Sequence, residues 1–167
     1  ISGSVSVKEL SIYDANCKWF KISGGKFENA SFNGGKFESF TISGGVFEKD
    51  ITFNGGQIDT IYISPKHKDN DLPTSVEYIE LPGLKFDLKI SGQLIIDSVK
   101  LERLTFSKGL STTGSINLKY IKLNELNFKN FHNAGRVNIS NIIPSAADSK
   151  FTINGCDLGN TSFKYVD

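Results

Sequence analysis

Apolar residues in the first third of the chain recur on a beat of five: Val7, Ile12, Cys17, Ile22, Phe27, Phe32, Phe37, Ile42 and Phe47. Two residues before each stands Val5, Leu10, Ala15, Phe20, Gly25, Ala30, Gly35, Phe40 or Gly45. Each unit is therefore an inward–outward–inward triplet, the alternation of a very short strand, followed by a corner. A helix cannot satisfy this beat, because its same-face neighbours lie three or four residues apart. The pattern predicts short strands joined at corners and essentially no helix.

A longer repeat lies over the short one. ISGGKFENASFNGGKFESFT, starting at Ile22, returns as ISGGVFEKDITFNGG, starting at Ile42, with one extra residue near positions 49–51. At an offset of about 20, Phe20, Phe40 and Ile61 stack in one column, and Leu10, Ala30 and Ile51 in the column opposite. Val5, Gly25 and Gly45, and Ala15, Gly35 and Gly56, form the other two. Bulky side chains on one pair of walls then fill the space that glycines leave on the other. The first glycine of each Gly-Gly pair is expected to take a positive φ at a corner.

The second half repeats in different words. Ile79-x-Leu81-x-x-Leu84-x-Phe86 returns from Val99 and again from Ile121, with a fainter copy in Cys156-x-Leu158-x-x-Thr161-x-Phe163. Gly92, Gly114 and Gly135 open the faces carrying Leu94/Ile96, Ile116/Leu118 and Val137/Ile139. Both inward positions are now large, so a wider cross-section is expected. The fold class that follows is all-β: a parallel β-helix, or β-solenoid, roughly four-sided, with about 20–22 residues per turn. About seven turns at ~4.8 Å make a rod roughly 35 Å long. Residues 1–167 form one domain: regular turns over 1–63, a lateral loop at 64–75, and wider turns over 76–167. The loop SPKHKDNDLPTS is polar and framed by prolines, and residues 144–150 make a smaller interruption.

The five-residue unit, with its central Phe or Ile and a small residue two positions earlier, resembles the pentapeptide-repeat family over residues 5–63. Phe20, Phe40 and Ile61 depart from that pattern, being large where the family has Ala. The Phe/Ile-Gly-Gly wording is also similar to repeat regions of large uncharacterised bacterial proteins. The resemblance implies a four-sided right-handed β-helix and a non-enzymatic scaffold. Family members that imitate DNA have a strongly acidic surface, which this chain lacks.

Charge narrows the partners. Nineteen Lys and Arg against 18 Asp and Glu leave a net charge of +1, which disfavours nucleic acid and anionic membrane surfaces. No run of 18 apolar residues spans a bilayer, and no basic-then-apolar segment opens the chain. Both ends fall in mid-pattern, so a segment of a longer protein is expected, with open strand edges able to associate end to end. Cys17 and Cys156 lie too far apart along a solenoid to be bridged and read as small core residues.

Candidate chemistry is sparse. His132 has no nearby acid in sequence, and Asp69-Asn70-Asp71 lacks the further ligands and the terminal Glu of a calcium loop. Glu28 and Glu48 share a column one turn apart, each beside its own aromatic, as an exposed acidic ladder does. No catalytic residue, cofactor or metal site is assigned. Trp19 and Tyr62 flank inward residues of one column and point outward, and with His67, Asp69 and Asp71 of the loop they form the candidate interaction surface. The leading expectation is a non-enzymatic structural or protein-interaction scaffold with a protein partner. The alternatives are a carbohydrate-binding or polysaccharide-cleaving β-helix and a fibre or adhesin segment.

Overall fold

The structure, a computed structural model, describes residues 1–65, 78–107, 110–133 and 135–166. Among them are eleven strands and no helix: β1 (Ser6–Tyr13), β2 (Asn16–Asn33), β3 (Lys36–Phe47), β4 (Ile51–Ile63), β5 (Ile79–Phe106), β6 (Ser111–Thr112), β7 (Ser115–Lys129), β8 (His132–Asn133), β9 (Arg136–Pro144), β10 (Lys150–Asn154) and β11 (Asn160–Val166). All pairings are parallel. Residue by residue, Phe20 pairs with Phe40, then Ile61, Leu94, Ile116, Val137 and Thr161. Seven rungs in one column make the chain a β-solenoid of about seven turns.

The walls follow from the inward residues. Ile12, Phe32, Phe53 and Phe86 form one aromatic-rich column, continued by Phe106 and Phe128. Their rings stack face to face down the axis, Phe32 on Phe53 and Phe53 on Phe86 at 5.1 Å in each case. Phe40 crosses the interior and meets Phe32, Phe37 and Phe53 edge-on at 4.5–5.9 Å. The space beside Gly25 and Gly45 is bordered by the rings of Phe27 and Phe47 on their own wall, and that beside Gly35 by the Ala15 backbone. Phe27, Phe37, Phe47, Phe86, Phe106 and Phe128 are all buried, as the beat requires. Further along, Asn54 pairs with Asp87 and Gln57 with Lys89, so one residue, Leu88, stands where two glycines, Gly55 and Gly56, stood before. Leu88 is buried, and the inward position has become large.

Corners differ from expectation in one respect. At 34–35 and 55–56 both glycines have positive φ, but at 24–25 and 44–45 only the second does. Gly44 still pairs with Ser23 in the ladder, so the chain reverses one residue later there. In later turns a corner of this kind is made without glycine: Ser98, Tyr120 and Asn141 all take φ of 50–57° on successive rungs. A left-handed conformation costs such residues about 1–2 kcal/mol each, which the surrounding ladder offsets.

Two further expectations change. Ser64, placed at the start of the lateral loop, is fully buried, and its N–H donates to the Ile42 carbonyl at 3.0 Å. It completes the wall instead of leaving it. The Cys156–Phe163 copy is half a turn out of phase. The residues beside Leu126 and Phe128 are Phe151 and Ile153, whereas Phe163 pairs with Ile139. The interruption at 144–150 lengthens this turn, so His132 neighbours Asp157, 25 residues on. Phe163 is 48% exposed.

Candidate functional site

Parallel stacking sorts outward side chains into ladders. On the wall whose interior holds Phe20 and Ile22, one ladder runs Trp19, Ser39, Thr60, Gln93, Ser115, Arg136, Asn160. The other runs Lys21, Thr41, Tyr62, Ile95, Asn117, Asn138, Ser162. Neither ladder contains Asp or Glu; Lys21 and Arg136 are their charged members. Hydroxyls and amides dominate, and they bond both across and along rungs: Asn138 Nδ2 donates to Asn117 Oδ1 of the next rung at 2.7 Å, and Asn117 Nδ2 to Ser115 Oγ on its own rung at 3.0 Å.

Trp19 is 77% exposed and Tyr62 36%. They share this face but are not immediate neighbours. Two rungs along the axis and two residues along the strand separate them, with Ser39 and Thr41 between. At strand spacings this puts their backbones about 12 Å apart. His67, Asp69 and Asp71 lie outside the described residues.

At the corner beside Trp19, the residues preceding the first ladder are Lys18, Glu38 and Asp59. They border an open concavity of about 380 Å³, lined also by Asn16, Lys36 and Gln57 and floored by Cys17 and Phe37. The ionisable part of this shelf is balanced, two lysines against two carboxylates. Asp59 accepts hydrogen bonds from Ser91 Oγ and from Gln57 Nε2, which fix its carboxylate at the rim.

The neighbouring wall around Phe27 and Phe47 is charged. Glu28 and Glu48 do stand on successive rungs, each paired with a lysine: Lys49 Nζ to Glu28 Oε1 at 3.2 Å and Lys26 Nζ to Glu48 Oε1 at 2.8 Å. The hydrogen bond from Lys26 holds the Glu48 carboxyl below its usual range and raises the Lys26 ammonium. Lys100 and Glu80 form a similar pair at 2.9 Å. Beside it a second open groove, of about 420 Å³, has Val46, Phe47, Leu81 and Pro82 among its lining.

One juxtaposition was invisible in sequence. Ser111, His132 and Asp157 occupy one exposed outward ladder on consecutive rungs. The Asp157 Oδ1 accepts the Gly159 N–H at 3.0 Å. Only knowledge of the long last turn reveals this neighbour of His132. Cys17 and Cys156 are free thiols, half-buried, each donating to a backbone carbonyl two residues away. Among the described residues no group of three or more His, Cys, Asp or Glu is placed to hold a metal ion, and no helix is long and apolar enough to cross a membrane.

No protein-family model matches the chain, and no curated protein or solved structure matches it either. The five-residue beat thus remains a likeness in spacing, and the β-solenoid stands on its own register.

Proposed function

We propose that the chain is a non-enzymatic scaffold of pentapeptide-repeat type, a rigid rod whose task is to present a binding face. The observation that carries this reading is the sorting of surface chemistry by wall. Charged residues pair across rungs on one side, while a continuous face without carboxylates carries the exposed Trp19 and Tyr62. Stacked aromatic columns give such a rod its stiffness, since each rung is held by its neighbours. A nearly neutral chain favours a protein or an uncharged polymer over nucleic acid or an anionic membrane.

The test has two parts. The immobilised chain and a Trp19→Glu/Tyr62→Glu variant are offered to extract from the source cells. A partner kept by the first and lost by the second supports the reading, and equal retention by both overturns it. The isolated chain is also assayed against activated esters and polysaccharides. Turnover lost on His132→Ala would make the Ser111–His132–Asp157 ladder a catalytic site and reject a purely binding role.

A further inference from the structure

We infer that the ligand of the Trp19–Tyr62 face is an extended, uncharged polysaccharide lying obliquely across the rungs. The inference rests on the scaffold reading above and names its ligand.

Three observations lead there. First, the aromatic surface is divided. A protein interface gathers its aromatic anchors into one desolvated cluster. Here Trp19 and Tyr62 stand about 12 Å apart between backbones, with Ser39 and Thr41 between them. Two ring platforms separated by hydroxyls suit a chain of pyranose rings. The C–H face of a sugar packs on an aromatic ring, and its equatorial hydroxyls meet polar groups at the sides.

Second, the repeat lengths agree. A pyranose unit is about as long as one rung spacing, ~4.8 Å. A sugar chain crossing from Trp19 to Tyr62 therefore meets a new rung with nearly every residue. Side chains at Ser39, Thr41 and Thr60 offer hydroxyl groups along that path, and Gln93 and Asn117 continue the polar surface beyond it.

Third, the charge fits. The two ladders carry no carboxylate, and the shelf beside Trp19 balances Lys18 and Lys36 against Glu38 and Asp59. Such a lining has donors and acceptors in quantity and little charge: the shelf's charges cancel, and Lys21 and Arg136 are the two charged members of the ladders. It suits a ligand rich in hydroxyls and poor in charge. An acidic polymer would find Lys21 and Arg136 far apart, on the first and sixth rungs.

The experiment uses the fact that Trp19 is the chain's one tryptophan, so intrinsic fluorescence reports on this face alone. The chain is run in native gels containing hydroxyethylcellulose, galactomannan, xylan or polygalacturonate, and the Trp19 emission is titrated with the same polymers. Retardation by at least one uncharged polymer with a change in Trp19 emission is expected. Trp19→Ala and Tyr62→Ala should each weaken retardation tenfold or more, while Tyr13→Ala, exposed at a different corner, should not. Circular dichroism identical to the parent's checks that each variant is folded. If no uncharged polymer retards the chain or moves its emission, the inference is overturned, and the scaffold reading is judged separately by the extract test. Binding only to polygalacturonate, abolished by salt, also overturns it, as does binding that both aromatic variants retain.

Discussion

The ring of Phe106 lies flat on that of Phe128, centroids 4.7 Å apart and planes 11° from parallel. Phe86 stacks on its other side at 5.6 Å, and Phe131 adjoins it at 6.0 Å. Phe106 is completely buried, so its removal leaves a void in the middle of the rod. Phe106→Ala should lower stability by ~3–5 kcal/mol in urea denaturation. A loss below about 1 kcal/mol would mean that the ring is not a packed part of the core.

Phe163 occupies the matching place in the faint sequence copy but sits on the last rung, half exposed. Phe163→Ala should cost ~1 kcal/mol or less, because little apolar area returns to water. Equal losses for Phe106 and Phe163 would contradict the half-turn shift in register.

Gly92, Gly114 and Gly135 stack at one corner so closely that a Cβ on Gly114 would overlap the Gly92 carbonyl oxygen, and one on Gly135 the Gly114 carbonyl oxygen. Backbone cannot move aside as a side-chain tip can. Gly114→Ala should therefore destabilise by ~1–3 kcal/mol or more, against less than about 0.5 kcal/mol for the exposed Ser111→Ala. Thermal melts of the two variants decide it.

The Lys26–Glu48 pair makes a pH prediction. Glu48's folded pKa lies below its ordinary 4.5, so its contribution is present above that value and is lost as pH falls through the folded pKa. Lys26's lies above 10.5, so its contribution is present below that value and is lost as pH rises through the folded pKa. Both side chains are solvated, so the effect on stability is small and shrinks with salt. Carboxyl NMR should show Glu48 titrating at lower pH than in a Lys26→Gln variant; an unchanged midpoint would reject the pairing.

With no helix among the described residues, far-ultraviolet circular dichroism should read as β structure. Helix above about a fifth, approaching the usual third of a globular protein, would be incompatible with this fold.

Which side chains face inward was legible in the sequence, because strand alternation and corner length are local. A five-residue beat fixes Phe27, Phe37 and Phe47 as core and Lys26 and Lys36 as surface before any rung is stacked. The columns of Phe20 with Phe40 and Ile61 followed for the same reason, since a single extra residue near 49–51 is all that enters those turns. Which residues become neighbours across rungs depends instead on the total length of each turn, insertions included. One such insertion, at 144–150, sets Phe163 beside Ile139 and His132 beside Asp157. The balanced shelf beside Trp19 and the collision-tight glycine corner likewise exist only once the turns are stacked. They arise from contacts some twenty residues apart in sequence, whose register is a sum over everything between.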